Sequence, residues 1–402
     1  MAPSIHGWSR AQGGGDSQGR QRLWRLPACS PSCVGFPRFT RLSHGTRRWA
    51  INSVIVNAIE KIFLDGVNTS SRNGKTLTLY DVSIILNDPR SRHLSLLGRK
   101  NNIFATFAET LWVLAGMNKI APYLSFFVPR AIEYSDDGIT WRAAYGERLY
   151  AYGQIDNVIK QFKSEGIYTR RAVISLYMPN RDTSESLLGV NLENSLDIPC
   201  NNLIHFFVTP DKKLNIKVTQ RSGDLIFGVS HINIFEFSLL QELVLYILQK
   251  EVDSQLSLGY LHQSITNLHI YEDKIKQAQD ILSNKDKQNL DIKNHDSIYF
   301  ASSLQKTKKL LNDIVLFIEN KITMNISDLP PIDLSRIEMQ AIFTHYDVDY
   351  KGNLLWGYCD ATLAYVYQKI LMQPITLHSR LSQDFILSVT KNNFNQHIKV
   401  AP

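Results

Sequence analysis

Two short stretches carry the residue types from which a thiol-based reaction can be built. In Ile198-Pro199-Cys200-Asn201-Asn202 a cysteine stands directly behind a proline. The alternating Leu203, His205 and Phe207 that follow predict a strand with the thiol held at its mouth by a rigid turn. Further on, Gln220-Arg221-Ser222-Gly223-Asp224 closes a second strand pattern, Leu214, Ile216 and Val218, and offers a cation, a hydroxyl and a carboxylate on neighbouring turn residues. The thiolate is the reactive form of cysteine, so an arginine that also holds an anion is expected to depress the pKa of Cys200. The alternative for Cys200 is a small buried hydrophobe.

These stretches need elements to position them. Helical spacing runs from Ile51 to Phe63, a polar loop carrying Arg72 spans Asp65 to Gly74, and Thr76 to Ile85 alternates as a strand. A helix over Ile103 to Ala115 aligns Phe104, Phe107, Leu111 and Leu114. Glu109 lies among them, either as a partly exposed carboxylate or as a site acid. Asp136-Asp137-Gly138 marks a turn before Tyr145-Gly146, and a helix follows over Gln154 to Lys163. Arg170-Arg171 precedes a strand from Ala172 to Tyr177 and reads by itself as a solvated edge. Residues 181–197 form a polar loop, Gly228 to Asn233 a turn, and the apolar run after it a buried helix. His269 and Tyr271 share one face of a short strand, Thr266 to Tyr271. Beyond Glu272 come a Lys- and Asn-rich helix, a polar stretch over 283–297 and a helix from Leu304 to Ile322. Asp347 to Gly352 imitates a calcium loop, but Lys351 stands where an oxygen ligand belongs and Tyr358 where the bidentate glutamate belongs, so no metal site is expected.

The chain of 402 residues is 44% hydrophobic, enough for one large core or two moderate ones. Its net charge of +7 is carried entirely by residues 1–48, which hold eight arginines against one acid, Asp16. The rest is balanced and has no basic footprint for a nucleic acid. No unbroken apolar run of the length that crosses a bilayer occurs, so no membrane span is expected. Cys29, Cys33, Cys200 and Cys359 form neither a disulfide framework nor a zinc-ligand set, which points to a reducing compartment and a cytoplasmic location. Residues 1–48 read as a disordered Arg-rich leader, similar in composition to an organellar transit peptide.

Taken in order, Glu109 with Leu111-Trp112, Tyr145-Gly146, Arg170-Arg171, Pro199-Cys200, Gln220-Arg221-Ser222 with Asp224, Gly228 and Asn233, and His269 with Tyr271 resemble the thymidylate synthase family over about residues 51–275. The resemblance implies an α/β (α+β) fold: a large twisted mixed sheet with helices on one face and a homodimer interface on the other. It divides the chain into the leader 1–48, a catalytic domain 49–278 and a mainly helical extension 279–402. It implies reductive methylation of dUMP to dTMP with 5,10-methylenetetrahydrofolate as co-substrate, through addition of the Cys200 thiolate to carbon 6 of the pyrimidine. Carried over residue by residue, Arg221, Ser222 and Arg72 would hold the nucleotide phosphate, with Arg170 and Arg171 reaching it from the partner subunit. Gln220 belongs to the same nucleotide site. Asn233 would read the uracil edge, and His269 and Tyr271 the sugar hydroxyl. Glu109 would manage proton transfer, Tyr145 would assist the nucleophile, and Asp224 with Gly228 would face the folate.

The chain departs from the family pattern in four places. Asn201 replaces the histidine after the cysteine. The Gly228 to Asn233 segment is one residue longer, which makes His231 a competitor of Asn233 at the base. Ile132-Glu133-Tyr134-Ser135-Asp136-Asp137 replaces a tryptophan-rich folate segment, for which Trp141 could substitute. The chain also runs on far past His269, where the family ends in a hydrophobic tail that closes the site. Water exclusion decides the product. The sequence therefore carries a second expectation, 5-hydroxymethylation of a pyrimidine nucleotide (dUMP, dCMP or CMP), and a third, a non-catalytic binding protein derived from the family.

Overall fold

Long alternating strands followed by helices with broad apolar faces dictate a sheet covered by helices. The computed structural model describes residues 40–41, 50–100, 102–183, 192, 195–287, 297–378 and 398–400. Most of the polar stretch 283–297 lies outside these, as does the expected disordered leader 1–48 except for Thr40 and Arg41, which form a strand. In chain order, β1 (Thr40–Arg41), α1 (Ile51–Asp65), β2 (Val67–Ser71), β3 (Gly74–Leu86), α2 (Ile103–Leu114) and α3 (Tyr123–Phe127) precede α4 (Tyr145–Tyr150) and α5 (Gln154–Glu165). Then come β4 (Val173–Ser175), α6 (Pro179–Asp182), β5 (Asn201–Val208), β6 (Lys213–Gln220), β7 (Gly223–Asp224), a π-helix (Leu225–Asn233) and α7 (Ile234–Glu251). The chain continues through β8 (Ser257–Tyr271), α8 (Ile275–Ser283), α9 (Leu304–Thr323), α10 (Ile332–His345) and α11 (Leu354–Leu371), with β9 (Ile375–Leu377) and β10 (Ile398–Val400) last.

The main sheet has the order β1-β3-β8-β6-β5-β4, with β2 on β3 and β7 on β8; β9 and β10 pair separately. β3 is antiparallel to β8, β8 is parallel to β6, and β6, β5 and β4 are antiparallel, so the sheet is mixed as expected. Ile204, Phe206, Ile216 and Val218 point to one face and are buried under the helices. The opposite face carries Val173, Leu203, His205 and Phe207, all at least partly exposed. The continuous helix Leu225–Glu251 has the length and hydropathy of a membrane span, yet 94% of its most apolar stretch is buried within the chain. It is a core helix.

Helices α9 and α11 join the same core. Tyr365 stacks on Phe104 at 4.8 Å between ring centroids, and Tyr358 on Phe107 at 4.6 Å, which clamps α11 to α2. The Tyr358 hydroxyl also meets His93 Nε2 at 2.8 Å. Tyr358 therefore lies in the core of a helix, and the sequence between Asp347 and Tyr358 does not form a ligand loop.

Three elements differ from expectation. Half of the loop 65–74 is β2, which turns into β3 through Arg72-Asn73 with Gly74 at φ +122°. Its polar residues gave no apolar alternation, because the pairing is held by Thr69 Oγ1, 2.8 Å from the hydroxyls of both Thr76 and Thr78. The turn 228–233 is instead the second half of the π-helix, started by Asp224 accepting from the backbone N–H groups of Ile226 and Phe227. The strand Thr266–Tyr271 is only the end of the fifteen-residue β8. Buried Gln263 interrupts its apolar pattern, and its Nε2 donates to the Gln220 side-chain amide.

Replacing Tyr358 by Ala removes the joint between α11, α2 and α7 and should cost about 3–5 kcal/mol, the range for emptying a large aromatic site. Urea unfolding reads this directly; a loss below about 1 kcal/mol would show that α11 is not part of the cooperative core.

Candidate active site

Cys200 ends a loop that is fastened by buried charge. Arg148 donates to both oxygens of Asp182, at 2.5 and 2.8 Å, with both side chains wholly buried. Arg142 joins the same carboxylate at 3.0 Å and extends to Ser195 Oγ and the Asp197 carbonyl. Asp197 in turn accepts from the backbone N–H groups of Arg142 and Ala143. A β-bulge between Asn201 and Leu203 follows immediately, where the β5–β6 register slips by one. Bulges re-aim side chains, and this one sits next to the thiol.

Cys200 opens into a cavity of about 310 Å³. Glu109 and Trp112 reach it from α2, Tyr145 from α4, Gln220, Ser222 and Asp224 from the β6–β7 end, Gly228 and Asn233 from the π-helix, and Tyr271 from β8. Gly146 lets α4 sit close to α2: a Cβ there would lie 2.6 Å from the Val113 carbonyl oxygen. Most of the expected residues are thus brought together. The sequence reading missed Arg130 and Asp197 in the lining, and it missed Glu236 behind it. Arg130 and Asp197 are isolated in stretches without a pattern of their own, and Glu236 reads as one polar interruption of the apolar run after Asn233.

Beneath the thiol lies a buried amide network. Gln263 Nε2 donates to Gln220 Oε1 at 2.7 Å and reaches Asn201 Oδ1 at 3.5 Å, while Gln220 Nε2 donates to Asn233 Oδ1 at 3.3 Å. Asn201 is fully buried; its Nδ2 and its backbone N–H both donate to Tyr145 Oη. Asn201, expected at the reacting centre, is thus not part of the cavity wall, which its neighbours make; its amide holds Tyr145 and joins the network. His231 turns its Nε2 to Thr106 Oγ1 at 2.8 Å and the Asn102 carbonyl at 3.0 Å, in a neighbouring cavity, whereas Asn233 lines the main one.

The arginines divide. Arg221 donates to the carbonyls of Pro199 and Ile198 at 3.0 and 3.1 Å, and its own backbone N–H to that of Cys200. Arg72 donates to the Ser195 carbonyl from the β2–β3 turn. Both guanidinium groups lower the Cys200 pKa, but burial outweighs them and the thiol stays above its ordinary value. The expected depression is corrected on this point, because desolvation penalises the thiolate more than two partly solvated cations favour it. Arg170 and Arg171 are exposed beside β4, and Arg171 pairs with Glu165; they do not line the cavity of this chain.

Burial pushes Glu109 up to about 7, in the range of a general base at neutral pH. Asp224 caps the π-helix and pairs electrostatically with His269, burial raising the acid and lowering the imidazole. His269 Nδ1 lies 3.0 Å from Asn267 Oδ1, and its ring meets Tyr271 edge-on at 4.9 Å. Trp141 lines the cavity, donates to the Ala131 carbonyl at 2.8 Å and stands perpendicular to Trp112. With Tyr134 and Phe227 it gives an aromatic wall suited to a planar pterin, and Arg130 and Arg99 stand at the edge of the neighbouring cavity. The residues present fit a reduced folate. Among the described residues no group of three His, Cys, Asp or Glu side chains could hold a metal ion.

A mixed sheet covered by helices, with a thiol beside an arginine-bordered, aromatic-walled cavity, defines an α/β protein with a thiol-bearing pocket. The thymidylate synthase family profile matches residues 54–314, and the chain belongs to that family. It is 38% identical over 235 residues to the deoxyuridylate hydroxymethyltransferase of Delftia phage PhiW-14, covering 58% of this chain and 63% of that protein. It is 32% identical over 241 residues to the protein of the same name from Pseudomonas phage M6, covering 58% and 64%. To the thymidylate synthase of Mycoplasma genitalium it is 31% identical over 138 residues, covering 34% and 42%. The chain spans less than two thirds of the length of these relatives.

The raised Glu109 carboxyl fixes a pH dependence of stability. Between its ordinary 4.5 and about 7 the unfolded chain has released a proton that the folded chain keeps, so this group's contribution falls as pH rises through that window and is constant above it. Glu109→Gln should flatten the decline in urea midpoint between about pH 5 and pH 7. An unchanged slope would show that Glu109 is not held in a desolvated site.

Proposed function

We propose that this chain transfers a hydroxymethyl group to carbon 5 of deoxyuridylate, ahead of the reductive methylation that the sequence reading placed first. The observation that carries the choice is the extent of likeness: the two phage deoxyuridylate hydroxymethyltransferases align over 235 and 241 residues, the thymidylate synthase over 138. The replaced folate segment, with Trp141 in place of a tryptophan-rich run, supports the same choice.

Cys200 adds to carbon 6 of the pyrimidine and makes carbon 5 nucleophilic. Ser222, Arg221 and Arg72 take the phosphate, Tyr271 and His269 the sugar, and Asn233 the N3 and O4 edge, where an amide matches uracil by donating and accepting at once. When bound, 5,10-methylenetetrahydrofolate supplies the one-carbon unit. With that unit attached, carbon 5 would give up its hydrogen as a proton and tetrahydrofolate would leave, so that water can bond to the exocyclic carbon of the nucleotide and give its own proton to Glu109. Expulsion of Cys200 from carbon 6 restores both the ring double bond and the thiolate. Methylation would instead need a hydride at that carbon and water kept out.

We also infer a homodimer through the open sheet face. Leu203 and Val173 are exposed there, Phe207 packs on His205 and Tyr260, and the exposed Arg170 and Arg171 flank its edge; in such a dimer they would serve the phosphate site of the second copy.

Incubation with deoxyuridylate and methylenetetrahydrofolate should yield tetrahydrofolate and 5-hydroxymethyldeoxyuridylate, separated by chromatography. Dihydrofolate with thymidylate would establish methylation in its place. Cys200→Ala should abolish tritium release from carbon 5 of labelled nucleotide, a loss of at least about 10³-fold for removal of a nucleophile. Release by the variant at the native rate would eliminate the covalent mechanism.

A further inference from the structure

One buried group near this site has no role in the chemistry above. Glu236, in the first turn of α7, is 1% exposed, and neither of its carboxyl oxygens has a hydrogen-bond partner among the described residues. Asn233 stands three positions earlier on the same continuous helix and lines the cavity, so the spacing sets Glu236 on the same side, one turn deeper. The groups around it are few. From α2 it feels the charge of Glu109, and across from α4 its own charge acts on Tyr145, whose phenol is raised and neutral. His231 on the π-helix turns its Nε2 to Asn102 and Thr106, and burial holds its ring neutral. Further along α7, Glu242 is taken by Arg90 and Arg92. No cation among the described residues acts on Glu236.

We propose that Glu236 is a positioning residue of this site: it remains a carboxylic acid beside Glu109, so that the two carboxyls carry one proton between them while Glu109 acts as the base. The inference rests on the reading of Glu109 given above. Two neighbouring buried carboxyls cannot both ionise, and the charge settles on the one that can be solvated. Glu109 opens on the cavity, whereas Glu236 is sealed. The resting pair thus holds one proton, on Glu236. It gains a second, on Glu109, from the attacking water and releases that proton to solvent with the product. Burial and the neighbouring carboxylate together hold Glu236 well above the usual carboxylate range, in agreement with this division.

The test uses the full-length protein and two readouts. Infrared difference spectra across a pH series should show a protonated carboxyl that persists after Glu109 has titrated. That band should be absent in Glu236→Gln, and in Glu109→Gln it should be lost at lower pH, since the like charge is gone. The pH profile of tritium release should lose its upper limb in Glu236→Gln and keep its lower one. Glu236→Leu should slow release about tenfold, with Glu236→Gln, which keeps the shape and a donor, partly restoring it. A band that survives in Glu236→Gln, or an upper limb that stays where it was, would overturn the proposal. If the native protein releases no tritium at any pH, the catalytic reading fails and the infrared arm alone decides whether the pair exists.

Discussion

The site depends on one buried carboxylate held between two arginines. Asp182 accepts from Arg148 and Arg142, and through Arg142 the interaction continues to Ser195 and Asp197, so the loop that delivers Cys200 is tied to α4 and to the segment before it. Taking three charges out of water is costly, and such a cluster is weak evidence for net stability. Its value here is geometric. A planar guanidinium fixes its partners in direction as well as distance, and a chain of such forks leaves the thiol little freedom about the proline turn.

The same burial that gives precision works against reactivity. The thiol is pushed above its ordinary value although two arginines lie near enough to lower it, and a bound phosphate dianion would offset part of their charge. The Tyr145 oxygen, on the wall of the same cavity, already accepts twice from Asn201, so its remaining hydrogen bond is a donation. Asn201, where the family has histidine, thus holds that phenol in place.

The parts of the site that could be read in the sequence are those that adjoin in the chain or repeat with a period. Cys200 behind Pro199, the run from Gln220 to Asp224, the apolar face of α2 and the alternation of β5 and β6 each carried their own signal. The rest depends on contacts that span the chain. Gln263 reads as a polar interruption of a strand until Gln220 and Asn201 are brought against it, and Asp182 reads as loop until Arg148 arrives from α4. β2 lacked apolar alternation because its pairing is made by threonine hydroxyls. The pKa of Cys200 could not be read from its neighbours, since the sign is set by how much protein surrounds the sulfur.

The π-helix decides where Asn233 stands. In a loop, the extra residue of the Gly228 to Asn233 segment would displace that amide from the cavity. Widening a helix absorbs one residue as a local bulge while the turns on either side keep their direction. Asn233 consequently still meets Gln220, and a Cβ built on Gly228 would sit 3.6 Å from its Oδ1. The ring of His231 faces Thr106 and Asn102 at the start of α2, away from the main cavity, and α7 continues with Glu236 one turn beyond Asn233. A change that looks in the sequence like the loss of a recognition residue is, in the fold, a rearrangement of the wall around an amide that stays in place.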